Sequence, residues 1–185
     1  MADDTKNSFY ASSSDAGSVP EIDPFKFRKV MEEIHASQNL PLGFIGGLVA
    51  AVIGAVIWAA ITVMTGYQLG IVAVGLGFLV GVAVGVFGKG IDRIFGFMGA
   101  GLALFSCILG NFLTIAAFIA QEEAMSIVGV LFILFLSPSL VIELMGATFS
   151  PMDLLFYGIA VYEGYKFSFR KLTEADLKNM LKQSL

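Results

Sequence analysis

The decisive stretch of the chain is residues 43–87, GFIGGLVAAVIGAVIWAAITVMTGYQLGIVAVGLGFLVGVAVGVF, which contains no Asp, Glu, Lys or Arg. It lies inside a longer uncharged interval between His35 and Lys89, and a second such interval separates Arg93 from Glu122. A helix needs about 20 apolar residues to cross a hydrocarbon core roughly 30 Å thick. The first interval is therefore long enough for two crossings and the second for one. Thr65, Gly66, Tyr67 and Gln68 divide the first interval, because they bring together polarity, a glycine and an interfacial tyrosine. The spans expected are 43–63, 69–87 and 94–120. The short 88–93 loop, with Lys89 and Arg93, makes the second and third a tight hairpin.

Composition points the same way. Of the 185 residues, 57% are apolar and 14% charged, and Gly accounts for 21 more positions. A soluble domain carries about 45–50% apolar residues with Gly included, and about 25% charged. The single cysteine excludes a disulfide scaffold, and a net charge of -4 excludes a basic nucleic-acid module.

The last third is less regular. The apolar run 126–141 is interrupted by Ser137, Pro138 and Ser139 and followed by Glu143; another runs over 152–169 behind Ser150 and Pro151, which favour a helix start. Charge placement decides between them. The basic residues form three groups: Lys6, Lys26, Arg28 and Lys29; Lys89 and Arg93; and Lys166, Arg170, Lys171, Lys178 and Lys182. Residues 121–151 hold none, but carry Glu122, Glu123 and Glu143. Because Lys and Arg near span ends collect on the cytoplasmic side, an even number of spans with both termini cytoplasmic fits every group.

The fold expected is an all-α integral membrane protein with four transmembrane helices, the fourth over 152–169, and with 126–145 re-entrant or on the outer surface. In the competing arrangement 126–147 is the fourth span and the last apolar stretch lies on the inner surface. The membrane domain covers 43–170. Around it the sequence predicts a disordered polar tail over 1–20, without the basic start and apolar core of a secretory signal. An amphipathic interfacial helix over 21–38 carries Phe27, Val30, Met31 and Ile34 on one face, and a second amphipathic helix follows over 173–185.

Three features bear on function. Small residues recur at every fourth position: Gly46, Ala50 and Gly54 in the first span, Gly77, Gly81 and Gly85 in the second, and Gly99 with Ala103, then Ser106 with Gly110, in the third. Such grooves let helices approach closely, so that packing replaces the hydrophobic drive lipid cannot supply. They are expected to join the protein's own helices first. Gly77, Gly81 and Gly85, widened by Gly75, form the run best suited to a second chain.

The second feature is polar. Thr62, Ser106, Cys107, Asn111, Thr114 and Glu163 lie inside the spans. Asn111 and Thr114 read as interhelical glue. An intramembrane carboxylate is a functional candidate, but Lys166 is three residues from Glu163, within reach to pair with it.

The third feature is charge at the surfaces. Lys89, Arg93, Lys166, Arg170 and Lys171, with Tyr165 among the aromatic anchors, are placed to gather anionic lipid headgroups. On the other side Glu122, Glu123, Glu143 and Asp153 offer oxygen ligands at no recognised cation-loop spacing, and read better as surface and helix-start charges. His35 is the sole histidine and Cys107 the sole cysteine, so neither a His-rich metal site nor a Cys-His nucleophile pair can form within one chain. No cofactor or metal is expected. The glycines after Gly75 imitate a nucleotide fingerprint, but inside an apolar span.

Several phrases, Gly66-Tyr67-Gln68-Leu69-Gly70, residues 74–81, Ser106-Cys107-Ile108-Leu109-Gly110-Asn111 and above all 150–170 (SPMDLLFYGIAVYEGYKFSFR), resemble a group of small four-span bacterial inner-membrane proteins with no assigned activity. The resemblance covers about 43–173 and implies a bacterial inner membrane. The function expected is that of a structural or accessory membrane subunit, packing with itself or with a larger complex through small-residue faces, with membrane lipid as a partner. The alternative is a small oligomeric channel or transporter with Asn111, Thr114 and Glu163 near its pathway.

Overall fold

The computed structural model describes residues 24–67 and 70–171. The tail expected over 1–20, Gln68 of the predicted turn and the helix expected over 173–185 lie outside the described residues. Among the described residues there are seven helices and no strand: α1 (Pro24–Ala36), α2 (Leu40–Thr65), α3 (Gly70–Gly88), α4 (Arg93–Glu122), α5 (Ile127–Leu136), α6 (Pro138–Thr148) and α7 (Pro151–Phe167). Two compact units result: residues 35–171, with α2 to α7, and a second whose described part is 24–34 within α1. In α1 Val30 and Ile34 are buried, whereas Phe27, expected on the same face, is exposed.

The helix ends follow local chemistry. At the start of α2 the Asn39 side chain accepts the Leu42 N–H at 2.9 Å, with Pro41 in the first turn, where its missing N–H costs nothing. The same helix ends on Gly66, whose φ of 70° is the left-handed conformation a glycine cap adopts without strain; its N–H is donated to the Thr62 carbonyl. Ser150 and Asp153 form a reciprocal capping box at the start of α7. Between α5 and α6 the chain breaks at Ser137-Pro138, where proline cannot continue the ladder.

Three helices, α2, α3 and α4, are long and apolar enough to cross a membrane. The fourth span expected over 152–169 is α7, whose 17 residues extend only about 25 Å, short of a full hydrocarbon core. The 126–147 segment is not one straight helix either. Its two halves, α5 and α6, are jointly apolar and long enough but bent by 108° at the break.

Helices α3 and α4 pack on each other at the centre of the 35–171 unit. Both contact α2 and both contact α7, while α2 and α7 do not meet. The α5–α6 pair rests on α4 alone. It covers the C-terminal half of that helix, where Ala116 and Ala120 pack against Val130 and Leu134. Helix α7 runs parallel to α3, since Gly70 faces Phe156, Gly77 faces Ala160 and Gly81 faces Gly164. It is antiparallel to α4, since Gly96 faces Tyr165 and Asn111 meets Tyr157.

Candidate functional site

The small residues of α3 turn inward. A Cβ on Gly77 would stand 2.8 Å from the Ala160 Cα, one on Gly81 2.9 Å from the Gly164 carbonyl oxygen, and one on Gly85 3.0 Å from that of Phe167. All three glycines therefore face α7 of the same chain, not the second chain for which they look suited in sequence. Gly75 does not widen this surface; it is exposed, and a Cβ there would meet nothing within 4 Å.

The other small positions are also taken by intrachain neighbours. A Cβ on Gly46 would strike Phe87, one on Gly54 would strike Leu76, and one on Gly110 would stand 3.1 Å from the Trp58 ring. Ala50 and Ala103 lie in a buried cluster with Val80, Val84, Phe95 and Leu102. A Cβ on Gly99 would stand 2.5 Å from the Gly164 carbonyl oxygen. Sequence reading overlooked Gly164 and Gly47, the latter facing Val84 and Leu102. The signal for Gly164 was present, because Ala160, Gly164 and Ser168 repeat the four-residue spacing of the α3 glycines they face.

Two of the buried polar groups are paired across helix contacts. Ser106 donates its hydroxyl to the Ala51 carbonyl across the α4–α2 contact at 2.8 Å, and Asn111 donates its amide to the Tyr157 hydroxyl across the α4–α7 contact. Thr114 is also buried, but returns its hydroxyl to the Gly110 carbonyl of its own helix. The Trp58 indole nitrogen is buried among Ala73, Leu76 and Cys107 and has no hydrogen-bond partner among the described residues.

Asn111 and Tyr157 line a cavity of about 260 Å³ shared with Met145, Thr148 and Phe149. Glu163 lies six residues beyond Tyr157 on α7, about 9 Å along the axis. It does not line that cavity. Asn111, Thr114 and Glu163 are thus not brought to one site.

Two charge assignments change. Among the described residues no ion pair joins Glu163 to Lys166. The Lys166 ammonium instead sits 5.5 Å from the Tyr162 ring centroid and 5.6 Å from that of Phe167, within cation–π range. Asp153 is the helix-start charge expected three positions after Ser150, whose N–H it accepts, but it is 1% exposed and not at the surface, whereas Glu122, Glu123 and Glu143 remain exposed. Among the described residues no three His, Cys, Asp or Glu side chains converge as metal ligands.

At the opposite end of the unit a polar clasp joins 35–39 to the 88–92 loop. Gln38 donates to Asp92 at 2.8 Å and accepts the Ile91 N–H at 3.1 Å, and the Asn39 N–H bonds the Gly88 carbonyl at 2.9 Å. His35 lies 3.5 Å from Asp92. The Arg170 N–H bonds the Gly90 carbonyl at 2.8 Å, tying the end of α7 to the same loop. Lys89, Arg170 and Lys171 line a second cavity here, and Arg93 is exposed nearby in sequence at the start of α4. The Tyr165 ring meets Phe97 and Phe169 edge to face at 5.5 and 5.3 Å. Comparison with protein-family models, curated proteins and solved structures finds no match to this chain, so the resemblance carried by 150–170 adds no site residue.

Proposed function

We propose that the chain is a structural or accessory subunit of a membrane, built as a closed helical unit on whose outer faces larger partners or a second copy dock. The observation that supports this most is the filled interior. α7 lies against both α3 and α4 at backbone distance, at Gly77 on Ala160 and at Gly99 on Gly164. Backbone thus occupies the space where an internal pathway would run. Because the glycine stripes are used within the chain, docking falls to larger outward residues such as Phe44, Ile53, Val56, Phe97 and Leu154.

The geometry also supports four crossings with both termini cytoplasmic. As α7 is antiparallel to α4, it begins at the end where α4 finishes. The α5–α6 pair therefore leaves and returns on one side, as a re-entrant element does. The end of α7 then joins Lys89 and Arg93 on the basic, cytoplasmic side, and a bacterial inner membrane is the setting in which we place it.

The test is extraction in mild detergent followed by native mass and identification of co-purifying proteins. A defined complex, homomeric or with larger membrane subunits, supports the proposal; a lone monomer without protein partners overturns it. The second reading, an oligomeric channel or transporter, draws on the cavity beside Asn111 and the bent α5–α6 pair whose second arm lines it, since broken helices line pathways in transporters. Liposome flux that is lost in Asn111→Leu would favour it, and absent or unchanged flux would end it.

A further inference from the structure

The cavity at the basic end is a groove of about 500 Å³ between α3 and the end of α7. Its floor on α3 is Phe78, Val82 and Val86, three residues spaced four apart on one face and covering about 12 Å of helix. Phe78 meets Phe167 edge to face at 4.8 Å, so the far part of the groove is aromatic as well as aliphatic. Its mouth carries Lys89, Arg170 and Lys171, and among the described residues no acidic one lines it. The groove therefore joins three cations to an apolar trough long enough for a run of methylenes.

Lys89 supplies an independent observation. Its φ is 49°, in the left-handed region, and its N–H caps α3 on the Gly85 carbonyl at 3.0 Å. That capping position ordinarily takes glycine. Glycines flank it on both sides, yet Gly88 and Gly90 are committed to close packing, since a Cβ on either would overlap the Phe95 ring. A lysine thus stands at a strained position beside the mouth.

We infer that this groove binds one anionic phospholipid, with its phosphate among Lys89, Arg170 and Lys171 and one acyl chain along Phe78, Val82 and Val86. The occupant follows from complementarity: a cationic mouth takes a phosphate, and a trough this apolar takes a chain that a soluble phosphate lacks. The site stands apart from the proposed docking role, and its test does not depend on a protein partner.

The experiment is native mass spectrometry of the full chain in mild detergent, titrated with dioleoyl phosphatidylglycerol, with dioleoyl phosphatidylcholine and with glycerol phosphate as a headgroup alone. The expected result is retention of phosphatidylglycerol at about tenfold lower concentration than phosphatidylcholine. Lys89→Gln, Arg170→Gln and Lys171→Gln each weaken the anionic lipid about fivefold, the equivalent of about 1 kcal/mol per basic residue. Val86→Trp, which fills the trough at an exposed position, weakens both lipids, and Arg93→Gln, exposed but outside the groove lining, changes neither. Equal loss in Arg93→Gln would reduce the effect to diffuse surface charge and overturn the site. So would full binding by Val86→Trp, or displacement of the lipid by millimolar glycerol phosphate. Lys89 and Lys171 are exposed, so their variants decide the matter should Arg170→Gln fail to fold.

Discussion

Gly99 and Gly164 exclude each other's side chains. A Cβ on Gly99 would lie 2.5 Å from the Gly164 carbonyl oxygen, and a Cβ on Gly164 would lie 2.7 Å from that of Gly99. Both obstacles are backbone, which cannot rotate away as a side chain can. This reciprocal contact sets the distance between α4 and α7, and with Gly77 and Gly81 it draws α7 onto two helices at once.

Replacing either residue by alanine should therefore separate the helices. Gly164→Ala and Gly99→Ala are expected to destabilise the protein by about 1–3 kcal/mol, the usual range for overpacking. Gly75→Ala and Gly101→Ala, whose new methyls meet nothing, should instead gain up to about 1 kcal/mol from helix propensity. Thermal unfolding in one detergent compares all four, and equal behaviour would sink the packing argument.

The Asn111–Tyr157 bond is open to a double-mutant cycle. Asn111→Ala and Tyr157→Phe should couple by about 0.6 kcal/mol, the mean for such bonds between membrane helices, and by no more than about 1.7. Strict additivity would show that the pair contributes nothing.

Lys89 should reveal a trade between stability and binding. Lys89→Gly relieves a left-handed residue and is expected to raise stability by about 1 kcal/mol, whereas Lys89→Gln keeps the strain and leaves stability unchanged. Both remove the charge at the groove mouth. Unfolding curves of the two variants in lipid-free detergent provide the check, and a destabilised Lys89→Gly would show that the side chain supports the fold.

Trp58 is the only tryptophan and is 1% exposed, so fluorescence reports on the α2–α4 contact directly. Its emission should be blue-shifted and resistant to aqueous quenchers. Gly110→Ala would press on the ring from 3.1 Å and should change that emission, while Gly101→Ala should leave it as it is. A wild-type emission that water-soluble quenchers reach readily would place the indole outside the core.

Topology is read with single cysteines in a Cys107→Ser background, removing the buried native thiol. Thr65→Cys should react with an impermeant thiol reagent from outside, and Lys89→Cys only after the membrane is opened. Ser139→Cys, in the first turn of α6 beside the break, should react from the outside. Protection of Ser139→Cys from both sides would favour 126–147 as the fourth span.

The sequence by itself determined three long helices, the turn at Gly66, the charged 88–93 loop, the break at Ser137-Pro138 and the start of α7 at Ser150. Each has a local cause. An uncharged apolar run must satisfy its own backbone in lipid and does so as a helix, while glycine, proline and capping side chains act on their immediate neighbours.

Only the tertiary structure decided what each face meets. The spacing of Gly77, Gly81 and Gly85 describes a flat surface and carries no information on whether α7 or another chain fills it. The same limit hid the burial of Asp153, the choice of Lys166 for Tyr162 over Glu163, and the convergence of Lys89, Arg170 and Lys171 on one groove. All of these join residues distant in sequence or depend on helix orientation. They were settled when the reciprocal fit of small residues drew α7 against α3 and α4.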